Sequence, residues 1–249
     1  MTTCEIHFRR DPREWSETDT SLQAALVRRH VLQTASDTDE QRIREAIDGI
    51  FAKQGPEGHL DDAEDPITGT GGELLDAIVF GADPSREEVR RTVELLLKYP
   101  DGDQGFGAIS PYAIEALCRM GRTDDEVLGA SICRWIEIED QWNHPSKLCP
   151  WTPAVVLRAL WCAHRIAEVV PVVERGLVSI RDNLDAEGRL GYNDPWGFID
   201  CAGVIDHPIA AEIVAKQLPL LSSEQDEDGG WSEHSFVAFR ALHLHGYLR

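Results

Sequence analysis

The sequence predicts an all-α fold, a closed ring of helical hairpins (an α/α toroid) formed by one domain over residues 1–249. Three observations predict it. A phrase recurs about every 40 residues, a spacing that suits one two-helix unit per repeat. Amphipathic helices alternate with helices that are apolar on more than one face. The two ends of the chain echo each other in sequence.

In chain order, the amphipathic helices are expected near 39–54, 86–99, 124–139, 168–183 and 208–223. The second of these shows the logic. Within Arg86-Glu87-Glu88-Val89-Arg90-Arg91-Thr92-Val93-Glu94-Leu95-Leu96-Leu97, Val89, Val93 and Leu96 share a face, and the charged residues lie on the other. Asp83-Pro84-Ser85 signals a start and Tyr99-Pro100-Asp101-Gly102 a stop. These helices belong on the outside.

The alternate helices read as inner ones. The clearest begin near Pro111, Thr152, Gly197 and His234, and Gly69-Thr70-Gly71-Gly72-Glu73-Leu74-Leu75 opens a weaker copy. Pro111-Tyr112-Ala113-Ile114-Glu115-Ala116-Leu117-Cys118 and Pro153-Ala154-Val155-Val156-Leu157-Arg158-Ala159-Leu160 carry apolar residues around most of the helix. Trp15-Ser16-Glu17, shortly before Leu22-Gln23-Ala24-Ala25-Leu26, matches Trp231-Ser232-Glu233 before Phe236-Val237-Ala238-Phe239. That echo adds an inner helix at about 20–34 and makes about six repeats. An open solenoid needs polar caps. Both ends here carry inner-type helices, which favours closure.

The segment Gln225-Asp226-Glu227-Asp228-Gly229-Gly230-Trp231 resembles the QW repeat of squalene and hopene cyclases. Asp103-Gln104-Gly105-Phe106-Gly107, followed by Tyr112-Ala113, looks like the glycine-rich repeat of protein prenyltransferase β subunits. Asp185-Ala186-Glu187-Gly188-Arg189-Leu190-Gly191-Tyr192 is a degenerate copy. The resemblance implies the toroid, and an enzyme that transfers or cyclises an isoprenoid-type apolar substrate in its cavity. The repeat itself is structural. Gln can satisfy backbone groups at a helix end, glycine permits the turn, and Trp wedges between helices.

Three chemistries follow from the resemblance. Prenyl transfer uses zinc held by Asp-x-Cys and a later His, and here the same region offers Asp200, Cys201 and His234. Three ligands leave an open position for a substrate thiol. The cysteine is adjacent to Asp200, however, and Ala202 occupies the family's cysteine position, a rotation of about 100 degrees on a helix. The structural alternative is a buried thiol beside a capping or solvated aspartate. Acid-initiated cyclisation uses Asp-x-Asp-Asp, and Glu17-Thr18-Asp19-Thr20 retains the central acid, Asp19. The structural alternative for Asp19 is a helix cap. Asp61-Asp62-Ala63-Glu64-Asp65 spells a magnesium–diphosphate motif. It lies in a loop between Gly58 and Pro66, so magnesium is disfavoured against zinc.

The expected catalytic residues are therefore Asp19, Glu17 and His234. Trp151, Trp196, Tyr112, Trp231 and Phe236 are the expected substrate-binding set, most of them at inner-helix starts that would surround one mouth of the barrel. Two alternatives stay open. One is a non-catalytic toroid scaffold for a protein or small-molecule partner. The other is a carbohydrate-active barrel with Glu17 and Glu233 as paired acids.

Charge narrows the partners. With 24 basic and 44 acidic residues the formal net charge is −20, which disfavours nucleic acid and anionic membrane surfaces. A small apolar ligand fits better. No run of apolar residues is long enough for an integral membrane segment. The N-terminus lacks the order of a secretory signal, and the six scattered cysteines suit a reducing cytoplasm.

Overall fold

The computed structural model describes residues 8–60, 66–99, 106–144, 151–190 and 196–248, leaving out the side chains of Pro66, Thr68 and Trp151. Among the described residues every regular element is helical and there is no strand. The chain divides into two compact units. One takes residues 1–43, 144–154 and 176–249, the other 44–143 and 155–175.

The amphipathic helices form close to the expected positions, as α3 (Asp37–Phe51), α5 (Glu87–Lys98), α7 (Glu126–Glu137), α10 (Val170–Asn183) and α12 (Pro208–Glu224). The apolar ones are α2 (Leu22–Val27), α4 (Pro66–Phe80), α6 (Pro111–Arg119), α9 (Trp151–Cys162), α11 (Trp196–Ala202) and α13 (Ser235–Leu244). Two short helices, α1 (Pro12–Thr18) and α8 (Glu139–Trp142), were not marked by periodicity. Helix α2 runs on into a π-helical turn, Arg28–Leu32, that ends at left-handed Gln33. The extra residue there displaces the ladder by one and breaks the helix expected to reach 34.

Local chemistry sets the helix starts. Ser110 caps α6, accepting from the Ala113 N–H at 3.3 Å, with Pro111 at the first helical position. Asp125 caps α7 through the Val127 and Leu128 N–H groups. Such side-chain oxygens replace missing intrahelical acceptors, and proline there loses no bond. At the other end, α4, α6 and α13 stop alike. The residue after a glycine returns its N–H to the carbonyl five residues back, Ala82 to Ala77, Arg122 to Leu117 and Tyr247 to Leu242.

In the second unit, α4 lies along α6, where Gly71 leaves room for the Ser110 hydroxyl and the Ala113 methyl. Helix α7 adds Leu128, Ile132 and Trp135 to that core. The buried Trp135 indole donates to the Ile109 carbonyl at 3.0 Å, and Trp142 to Trp135 at 2.7 Å. Each buried ring thus keeps its polar atom bonded. In the first unit, α13 packs on both α11 and α2, so the two ends of the chain are neighbours, as their sequence echo predicts.

One turn occurs three times among the described residues. After α3, α10 and α12 the chain passes through Gly55-Pro56-Glu57-Gly58-His59-Leu60, Asp185-Ala186-Glu187-Gly188-Arg189-Leu190 and Asp226-Glu227-Asp228-Gly229-Gly230-Trp231. In each, the first N–H donates to the fifth carbonyl, and the fourth N–H to the first carbonyl. The fourth residue is a glycine at φ between +78° and +104°. The sixth side chain is buried. The glycine lies against a further helix with no room for a side chain: a Cβ on Gly58 would sit 2.7 Å from the Arg91 carbonyl of α5, and one on Gly188 2.6 Å from Lys216 of α12. The Thr92 hydroxyl and the Gln217 amide then donate to the Gly58 and Gly188 carbonyls. The third copy rests on the N-terminal segment instead.

Candidate functional site

That third turn places the first group of candidate residues. Gln225 stands at the C-terminal cap position of α12, and its side chain ties the turn to the N-terminal segment. Its Nε2 donates to the Arg10 carbonyl at 3.0 Å and to the Gly229 carbonyl at 2.9 Å, and its Oε1 accepts from the Arg10 N–H at 3.2 Å. Trp231 is 1% exposed, and its indole donates to the Leu221 carbonyl at 2.8 Å. It meets Phe8 and Phe239 edge to face. Trp231 is therefore a wedge in the core and presents no face to a ligand, which corrects its place among the substrate-binding residues. Its own N–H donates to the Ser235 hydroxyl at 2.7 Å, which starts α13 after a short 3-10 turn, Ser232–His234.

His234 comes out of that turn stacked on Trp196, the first residue of α11. The ring centroids are 4.5 Å apart and the planes 13° from parallel. Both residues are half-buried, so the pair offers a partly open aromatic surface where α11 and α13 begin. The His234 Nε2 lies 3.8 Å from the exposed Glu233 carboxylate. One residue into α13, Phe236 is 7% exposed, with its N–H donating to Gln23 of α2 at 3.1 Å. The His30 ring lies 5.9 Å from the Phe236 ring, and the Arg240 guanidinium stands over the same ring at 5.2 Å.

The structure does not gather the zinc set. Asp200 is hydrogen-bonded and ion-paired to Arg240, across from α11 to α13. Cys201 is 1% exposed in the core, and His234 is in the aromatic stack. The reason is helical geometry, since neighbouring residues 200 and 201 diverge by about 100 degrees. Among the described residues no group of three His, Cys, Asp or Glu side chains is arranged to hold a metal ion. The acidic string 61–65 lies outside the described residues, as does the Trp151 side chain.

The acids proposed for protonation sit at a helix end. Asp19 follows α1, where its Oδ1 accepts from the Ser21 N–H at 2.7 Å, the geometry of an Asx turn. Its carbonyl accepts from Arg28 at 3.0 Å. Glu17 is exposed, and so is Glu233. Tyr112 is half-buried in the first turn of α6, in the other unit.

Sequence reasoning missed the charged groups inside the apolar helices. Glu115 of α6, 2% exposed, accepts from Arg158 of α9 through two bonds of 3.0 Å and from Arg119 at 2.9 Å. Burial pushes this carboxyl up, but the Arg158 and Arg119 charges and hydrogen bonds outweigh it and hold it at about 2 against an ordinary 4.5. Glu115 and Asp200 each stand fifth in their helix, in Pro111-Tyr-Ala-Ile-Glu115 and Trp196-Gly-Phe-Ile-Asp200, and each meets an arginine of a later apolar helix. The shared register was the available signal. Arg28, on the π-helical turn, was missed as well. It grips the Ser16 and Asp19 carbonyls and the buried Asp39. The Arg28 hydrogen bonds hold the Asp39 carboxyl well below the usual carboxylate range.

No protein-family model matches the chain, and no curated protein matches it. Among the described residues no helix is long and apolar enough to cross a membrane.

Proposed function

We propose that the chain is an α/α toroid of the kind shared by terpenoid cyclases and protein prenyltransferase β subunits, and that it binds an isoprenoid-type apolar molecule. Its binding surface is the aromatic face where α11 and α13 begin. The toroid reading draws support from the thrice-used turn and from the packing of α13 on α2. The observation behind the binding reading is the half-open Trp196–His234 stack. A flat, partly desolvated aromatic pair offers apolar contact, and imidazole adds a group able to exchange a proton with a bound molecule. Zinc-dependent transfer is set aside, because Asp200 is committed to Arg240 and Cys201 to the core.

The test is calorimetric titration of the full chain with farnesol and with farnesyl diphosphate, each followed by product analysis. Binding weakened about tenfold in Trp196→Ala supports the reading, the loss expected for one aromatic contact of about 1.4 kcal/mol. Absence of heat with both probes at near-millimolar concentration overturns it.

A second reading is a non-catalytic scaffold. It is favoured by the ion pairs Glu115–Arg158 and Asp200–Arg240, which spend the charged residues of four apolar helices on holding those helices together. Binding without turnover in the titration, followed by an unchanged cellular role in His234→Ala, would select it.

A further inference from the structure

We infer that Cys118 of α6 and Cys162 of α9 form a two-sulfur site for a soft monovalent cation of the copper(I) class. Both residues belong to the second compact unit, whereas the aromatic face of α11 and α13 belongs to the first, so the site stands whether or not an isoprenoid binds.

The buried ion pair sets the geometry. Glu115 and Arg158 tie α6 to α9 through two bonds of 3.0 Å. Cys118 stands three residues after Glu115, and Cys162 four after Arg158. Three residues fall about 60 degrees short of a whole turn and four about 40 degrees beyond it, with advances of about 4.5 and 6 Å. On parallel helices those opposite rotations carry both side chains to the same side of the plane through the two axes, one turn past the ion pair. On antiparallel helices the cysteines would lie about 10 Å apart along the axes, at opposite ends of the ion pair. The thiols themselves decide for the parallel sense: burial, and after it the neighbouring Cys162, push the Cys118 thiol up to about 12. Both cysteines are half-buried, within reach of a small ion and largely out of bulk water.

The donor set chooses the ion. Thiolates favour soft cations. Zinc takes four ligands, at least three of them from the protein, and among the described residues no third Cys, His, Asp or Glu side chain completes such a group. Copper(I), a closed-shell soft ion, is satisfied by two sulfurs in a line.

Charge points the same way. Glu115 pairs with both Arg158 and Arg119, so the cluster one turn away holds two guanidiniums against one carboxylate, a surplus of one positive charge. Binding turns two thiols and one copper(I) ion into a dithiolate complex with a single negative charge, and both thiol protons pass to water. No oxidation state changes. The complex balances the surplus, whereas a divalent ion would give a neutral complex and leave it standing.

Titration of the full, reduced chain with copper(I) in the absence of oxygen, in competition with bathocuproine disulfonate, tests the site. The expected result is one tightly held equivalent. Its affinity should fall about tenfold or more in Cys118→Ala and in Cys162→Ala, and stay unchanged in Cys133→Ala, whose cysteine is exposed on α7. X-ray absorption of the loaded parent chain should show two sulfur neighbours around copper and no nitrogen or oxygen, a readout that holds even where an alanine variant fails to fold. Three results would overturn the site: no copper kept against the competitor, copper kept as tightly by either of the first two variants as by the parent, or a copper shell of three or more ligands.

Discussion

Replacing Arg158 with methionine tests the energetics of the buried charges most directly. Arg158 is 7% exposed and makes two hydrogen bonds of 3.0 Å to Glu115, itself 2% exposed. Its loss leaves the carboxylate with Arg119, whose side chain is 30% exposed. The Glu115 carboxyl is lowered from 4.5 to about 2. At 1.36 kcal/mol per pH unit that drop corresponds to about 3 kcal/mol of stability. A depressed folded-state value means the contribution is fully present above the unfolded value of 4.5 and disappears as pH falls through about 2. Arg158→Met should therefore cost up to about 3 kcal/mol at neutral pH, since Arg119 retains a share of the stabilisation, and markedly less at pH 3 as the carboxyl takes up a proton. The double variant Glu115→Leu/Arg158→Met should return to within about 1 kcal/mol of the parent, because it removes the charge as well as its partner. Urea unfolding followed by circular dichroism and by fluorescence measures all three. The two probes also reveal whether the two compact units unfold together. A loss below about 1 kcal/mol in Arg158→Met, or a double variant as unstable as the single one, would refute the reasoning.

Four further outcomes are expected. Gly188→Ala should lose about 2 kcal/mol or more in the same assay, since its methyl has neither an allowed backbone conformation nor space beside Lys216. Gly129→Ala, inside α7 with nothing within 4 Å of the new methyl, should gain about 0.5–1 kcal/mol. Asp39→Asn should lower the melting temperature at neutral pH. Because Arg28 depresses the Asp39 carboxyl, the gap to the parent should narrow as pH falls below the ordinary value of 3.8. Protein purified without added zinc should have the same metal content as its Cys201→Ala variant. Stoichiometric zinc lost on that substitution would reinstate the zinc reading.

Helix positions were legible because the periodicity of Val89, Val93 and Leu96 is a direct record of which face is buried, and all three are. The QW-like turn was legible as structure for the same reason. Its Gln, Gly and Trp each have a demanding local job, and Gln225, Gly229, Gly230 and Trp231 perform it. Short α1 was missed because its stability comes from docking Trp15 on Phe239, a contact that no local pattern encodes. The candidate site was less legible. Reading Trp231 and Phe236 as lining a mouth assumed that aromatic residues near helix starts face outward, and the actual orientation depends on how α2, α11 and α13 cross. Trp196 and His234 do stack, but their sequence separation gave no hint of it. Glu115 and Arg158 stood in plain view on helices already read as buried. A charge in such a place requires a partner, and the two could have been paired on that ground alone.

The thrice-used turn also bears on chain order. Residues 226–231 meet a segment from the opposite end of the sequence, where turns 55–60 and 185–190 meet helices a short way downstream. The packing rule thus joins a turn to a helix and is indifferent to whether the peptide chain runs on between them. A circularly permuted gene, with the ends linked and new ends cut at the exposed Gly121–Asp124 loop, should encode the same set of turn-to-helix contacts. It would shorten the sequence separation between residues 8–27 and 223–244 and lengthen that between α6 and α7, and the protein's folding rate, more than its final architecture, is where that change would register.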